Sequence, residues 1–172
     1  MTRTETIRRA HAPRDVALAR ALFAEYARWL QVDLCFQGFE EELSTLPGAY
    51  APPRGRLLLA GPPDGAFGCI ALRPLDMHPD GCGSVPSRQA AGEVAEVKRL
   101  YVQATHRGQG WGRRLASALL DEARSIGYRE LMLDTFDWMT SARALYSELG
   151  FRDCAPYYRN PLAGVVYMAL RL

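Results

Sequence analysis

The chain has 172 residues, 48% of them hydrophobic and 23% charged, close to the globular average and long enough for one core. Lys+Arg 21 against Asp+Glu 19 leaves a net charge of +2, too balanced for a protein that holds nucleic acid by bulk charge. No run reaches the roughly 18 apolar residues of a membrane span, and the opening Met1, Thr2, Arg3, Thr4, Glu5 has no apolar signal core. A single cytoplasmic domain over 1–172, without nucleic-acid or membrane partners, is the expectation.

Residues 6–10 read as a short edge strand. Pro13 suits the first turn of a helix, and Val16, Ala19, Leu22, Phe23, Tyr26, Trp29 and Leu30 follow at the spacing of three and four that puts them on one face. A second helix over about 39–46 carries Glu40, Glu41 and Glu42 at its positive end and stops at Pro47 and Gly48. Residues 56–60 and 66–72 are apolar runs separated by a Gly/Pro-rich turn, the pattern of a hairpin. Residues 73–92 hold Pro74, Pro79 and Pro86 without periodicity and read as a long loop. The order then becomes strand 93–102, helix 110–126, strand 130–135 and helix 140–149, followed by strands 152–158 and 165–170. An antiparallel half joined to a parallel crossover gives a mixed α/β sheet with helices on both faces. Cys35, Cys69, Cys82 and Cys154 are scattered with no CxxC pair, so neither metal site nor disulfide framework is expected. His78 and His106 read as surface loop residues.

The chemistry concentrates between Glu96 and Arg114, where a strand runs through a glycine-spaced turn into a helix. Gly108, Gly110 and Gly112 permit positive φ and close approach of a ligand to the backbone. The first helical turn leaves unpaired N–H groups with partial positive charge, and Arg107, Arg113 and Arg114 surround it, so a pyrophosphate suits the place. The spacing is neither the dinucleotide fingerprint nor a Walker loop, and a plain strand-to-helix connector remains the alternative.

These residues make the chain resemble the GNAT superfamily of acyl-CoA-dependent N-acyltransferases. Its signature, Arg/Gln-x-x-Gly-x-Gly/Ala after the fourth strand, is matched by Arg107, Gly108, Gln109, Gly110, Trp111 and Gly112. A late helix motif, Ala-x-x-Leu-Tyr-x-x-x-Gly-Phe, is matched from Ala142 through Tyr146 to Phe151. Many members carry an asparagine three residues before that alanine, where this chain has Met139.

The resemblance implies a mixed, mostly antiparallel sheet of about seven strands with the fourth and fifth splayed apart, and acetyl-CoA as co-substrate. Leu100, Tyr101 and Val102 match the segment that pairs with the pantetheine, a backbone N–H near Tyr101 or Val102 meets the carbonyl oxygen, and the turn together with Arg113 matches the pyrophosphate cradle. An amine that attacks a thioester must first be neutral, and primary alkylamines are mostly protonated near pH 7. Glu96, eleven residues before Arg107, matches the glutamate that several members use as base, with Glu93 and Asp134 as further candidates. Tyr146 matches the tyrosine that protonates the departing thiolate. The acceptor groove of the family corresponds to Tyr26, Trp29 and Phe36, to residues 73–92, and to Tyr157, Tyr158 and Asn160. A small-molecule amine is the expected acceptor; a protein N-terminus or lysine, or a non-catalytic acyl-CoA-binding role, are the alternatives. Dimers are common in the family.

Overall fold

A computed structural model describes residues 5–32, 38–75 and 93–172. Phe36, His78, Cys35, Cys82 and most of the expected loop 73–92 lie outside the described residues. Within them the order is β1 (Thr6–Arg9), α1 (Pro13–Leu30), α2 (Phe39–Thr45), β2 (Arg56–Gly61), β3 (Gly68–Pro74), β4 (Val94–Val102), α3 (Trp111–Ile126), β5 (Glu130–Phe136), α4 (Thr140–Glu148), β6 (Arg152–Asp153) and β7 (Val165–Arg171). No described helix is long and apolar enough to cross a membrane.

The strands form one sheet in the order β1-β2-β3-β4-β5-β7-β6, antiparallel throughout except for the parallel β4–β5 pair. Alternation along β2 shows how the two cores divide. Leu58 and Ala60 face Trp111, Leu115 and Leu119 of α3, whereas Leu57 and Leu59 face Ala19, Leu22 and Phe23 of α1. Helix α3 starts behind Gly110 and ends at Gly127, both in the left-handed region that glycine adopts freely. The strand expected over 152–158 is only two residues long, because Pro156 has no N–H to give a ladder and Tyr157 and Tyr158 turn inward to the carboxylates of Glu96 and Asp134.

Two departures from regular pairing shape the middle of the sheet. Strands β4 and β5 pair only at Val94↔Glu130, Ala95↔Leu131 and Glu96↔Met132. Beyond that point β5 keeps its partner β7 as far as Phe136, while β4 runs on for six residues, roughly 20 Å of strand at about 3.3 Å per residue, without a strand partner on its β5 side among the described residues. The second departure lies on the β3 side. Cys69 opposes Tyr101 and Ala71 opposes Lys98, so two residues of β4, Arg99 and Leu100, stand against Ile70 alone.

This is a bulge, and Arg99 occupies it with φ of 59°. A left-handed backbone costs a non-glycine residue on the order of 1 kcal/mol or more. The guanidinium is fixed by Glu42 of α2, to which Nε donates at 2.9 Å, and it lies over the Phe39 ring at 5.1 Å. Bulges bend and twist a strand, and this one sits where β4 leaves β5. It also shifts the alternation, so that Lys98, Arg99 and Tyr101 all reach the α1/α2 side.

Leu115, with no exposed surface, docks α3 on the sheet that carries the site. Leu115→Ala is expected to cost 2–5 kcal/mol, about the range for a buried leucine, and to lower the urea midpoint accordingly. Arg124→Ala, which breaks only the exposed pair with Asp121, should change stability by less than about 0.5 kcal/mol.

Candidate active site

The gap between β4 and β5 holds a cavity of about 50 Å³ whose lining includes Tyr26, Lys98, Asp134, Met139, Ala142 and Tyr146. Tyr146 reaches it from α4, with its ring against Phe151 at 5.5 Å. Its hydroxyl makes no hydrogen bond among the described residues. Burial holds that phenol well above its ordinary range, so it stays protonated and able to donate. Met139, at the start of α4, accepts a hydrogen bond on Sδ from Thr135 Oγ1 at 3.6 Å and lines the cavity.

At the wide end of the gap, α3 begins with no side-chain cap. No N–H from Gly108 to Arg113 bonds within the described residues, so the turn keeps its donors free. Gly108 and Gly110 have φ of +75° and +80°, and a Cβ on either would meet nothing within 4 Å. The glycines serve the backbone conformation, and the space around them is open. Uncapped donors, an open approach and a positive helix end fit a pyrophosphate.

The arginines and large side chains of the turn are placed less simply. Arg107 turns back, its Nε donating to Val102 O at 2.8 Å and its guanidinium stacked on Trp29 at 4.7 Å and Tyr101 at 5.5 Å. It holds the end of β4 rather than reaching over the helix N-terminus. Trp111 is buried against Phe67, which leaves only its N–H for a ligand. Gln109 Nε2 bonds Thr105 O at 3.2 Å, and Arg113 pairs with Glu148 on the surface.

On the α1/α2 face a chain of alternating charge crosses the strands. Arg73 Nε donates to Glu96 Oε2 at 2.7 Å, Lys98 Nζ lies 3.3 Å from Glu96 Oε1 and 3.1 Å from Asp134 Oδ1. Tyr157 donates to Glu96 Oε1 and Tyr158 to Asp134 Oδ2, each at 2.8 Å. Burial by itself would raise the Glu96 carboxyl, but the adjacent Lys98 and Arg73 charges and the Tyr157 hydrogen bond overcome it and hold the group at about 2. Burial, together with the same carboxylate, pushes Tyr157 well above the usual phenol range.

These surroundings enclose Glu96, the glutamate that the sequence offers as a base. Its side chain is 1% exposed and is engaged by three partners. It does not line the cavity; Asp134, the other carboxylate of the chain of charges, does. Of the acceptor-side aromatics, Tyr157 and Tyr158 spend their hydroxyls on the two carboxylates. Tyr26 lines the cavity and touches Trp29 and Tyr101. Trp29, 41% exposed, meets the exposed Trp138 at 6.1 Å across the gap.

Sequence reading missed Arg73, Lys98, Arg99 and Trp138. Arg73 is tied to Glu96 only through the β3–β4 register, where the two residues are direct partners. Lys98 did carry one signal, as the chain's single lysine.

Residues 19–151 match the family model described as acetyltransferase (GNAT) family. An uncharacterized N-acetyltransferase of Schizosaccharomyces pombe is 35% identical over 93% of this chain and 90% of its own. Among solved structures, an acetyltransferase of the GNAT family from Staphylococcus aureus superposes with a TM-score of 0.73 at 17% identity, covering 98% of this chain and 99% of the other. A Salmonella typhimurium protein solved with its cofactor acetyl-CoA gives 0.66 at 21% identity, over 98% and 94%.

The depressed Glu96 carboxyl links stability to acid. A group held at about 2 when folded, against 4.5 for the free side chain, stabilises the fold above about pH 4.5, and that contribution fades as pH falls toward 2. The difference corresponds to about 3 kcal/mol. Glu96→Gln should therefore be less stable than the parent at pH 7 and approach it near pH 2 to 3, as read from urea unfolding at each pH. A gap that stays constant across this range would contradict the linkage.

Proposed function

We propose, for a chain that belongs to the acetyltransferase (GNAT) family and is an acetyl-CoA-dependent N-acetyltransferase, that the acceptor is a primary amine on a small molecule and that the amine attacks the thioester directly. The observation that carries this reading is the unpaired stretch of β4 beside a cavity lined by an undedicated phenol, Tyr146. The edge of β4 that β5 leaves without a strand partner beyond Glu96 suits the amides of a pantetheine arm, which would add to the sheet as a short extra strand. Leu100, Tyr101 and Val102 supply that edge, and the N–H groups from Gly108 to Arg113 hold the pyrophosphate. The cavity of about 50 Å³ suits a two-carbon acyl group.

In the proposed reaction the neutral amine attacks the carbonyl carbon, the new C–N bond forms, and the C–S bond breaks. The thiolate takes its proton from Tyr146, and the proton lost by nitrogen leaves to Asp134. Two lone pairs of that carboxylate remain for it beside those used by Lys98 and Tyr158. Glu96 is a positioning residue, which keeps Lys98 and Tyr157 in place. Much of the acceleration comes from holding thioester and amine in one geometry.

Two outcomes follow for kinetics read by release of CoA thiol. Tyr146→Phe should lower kcat by about a hundredfold, the lower range for a positioned acid, and change the dissociation constant of acetyl-CoA by less than about twofold. Unchanged kcat would remove Tyr146 as the acid. With Glu96 ionised far below neutrality and Tyr146 protonated far above it, kcat/KM should rise about tenfold per pH unit toward the pKa of the acceptor amine, near 10. A plateau beginning between pH 6 and 7 would point instead to an enzyme group that deprotonates the bound ammonium before attack.

A further inference from the structure

Resting on the small-amine reading, the identity of the acceptor can be narrowed by asking which charges of the cleft remain uncommitted. Every carboxylate beneath the α1/α2 face already has partners. Glu96 is taken by Arg73, Lys98 and Tyr157, and Asp134 by Lys98 and Tyr158. Glu42 is taken by Arg99 and Tyr50, and Glu25 by Tyr101 and Gln103. Lys98 is nearly enclosed between its two carboxylates.

Arg73 differs from the rest. Its Nε and Nη2 meet the single oxygen Glu96 Oε2, each at 2.7 Å. A guanidinium carries five N–H donors in a planar fork, and Nη1 has no partner among the described residues. The side chain is 35% exposed and lines a groove of about 210 Å³ together with Glu41, Glu42, Thr45, Gly48 and Tyr50. Glu41 is an exposed residue of this groove, where water screens its charge. A chain of ion pairs connects the groove with the acyl cavity, because Arg73 holds Glu96, Glu96 holds Lys98, and Lys98 lines the cavity.

We infer that the acceptor carries a carboxylate as well as its amine, and that Arg73 receives the carboxylate while the amine enters the cavity at Asp134. The substrate class is an amino acid or an amino-acid-like zwitterion. A diamine does not fit: its second ammonium would lie beside the Arg73 guanidinium with no enclosed carboxylate left to meet it. Arg73 then has two tasks, to bind the substrate anion through its outer edge and to keep Glu96 charged through its inner edge.

The experiment compares acceptors matched in length: 4-aminobutyrate, butylamine and 1,4-diaminobutane, and phenylalanine with phenethylamine, each assayed for thiol release from acetyl-CoA. A charged hydrogen bond supports the acid in each set by about tenfold or more in kcat/KM over its counterpart without the carboxylate, expressed in KM. Arg73→Gln should bring each pair within about twofold. Arg73→Lys, which keeps a cation beside Glu96, should retain part of the preference, and its melting temperature shows whether the fold survives. Equal or faster turnover of butylamine or the diamine overturns the inference, as does a preference that Arg73→Gln leaves intact. If acetyl-CoA raises the melting temperature and none of the five compounds releases thiol, the small-amine reading itself fails, and the inference falls with it.

Discussion

The bulge at Arg99 governs the centre of the molecule. Two residues of β4 face one of β3, and the strand bends at the point where it must leave β5. Without the departure, the edge of β4 would be consumed by a parallel ladder and no backbone would remain to receive an extended ligand. Arg99 adopts a conformation that glycine would adopt more readily, and it is held there by Glu42 and Phe39 of α2. Helix α2, only seven residues long, thus fixes the geometry of a strand in the middle of the sheet.

The bulge has a second effect, on charge. By bringing Arg99 and Tyr101 to the side that Glu96 and Lys98 already share, it builds a polar floor between two apolar patches, the one under α1 and the one formed by Val94, Met132, Tyr157 and Tyr167. Buried ion pairs of this kind contribute little net stability, because desolvation offsets their attraction, yet removing one partner is costly. Their consequence is orientation. Glu96 and Asp134 cannot rotate away from Lys98 without leaving tyrosine hydroxyls unsatisfied, so the cavity keeps a fixed pattern of donors and acceptors in the absence of a ligand. The same enclosure that orients Glu96 holds its carboxyl well below the usual carboxylate range.

Much of the architecture was legible from local signals. The apolar stripe of α1, the glycine turn and the crossover gave the mixed sheet with helices on both faces. The turn from Arg107 to Gly112 and the late motif around Tyr146 pointed to the family. What was not legible depended on register and bulges. Period-two alternation puts Lys98 and Arg99 on opposite faces, and only the extra residue in β4 brings them together. Nothing local links Arg73 to Glu96, or Tyr157 to Glu96 across 61 positions. A glutamate on the right strand therefore read as a base, and its three partners were invisible in the sequence. Arg107 shows the same limit, since a motif locates its backbone while its guanidinium stacks on Trp29, a residue far away in the chain.

The most direct test is amide hydrogen exchange with and without acetyl-CoA, because it reads the backbone groups that β5 leaves free. Docking along the open edge requires slower exchange at amides within residues 98–102 and 108–113 on addition of acetyl-CoA, with β1 and β2 unchanged. Binding that leaves those amides as they were, or that protects a different part of the chain, would contradict the view that the gap between β4 and β5 receives the co-substrate.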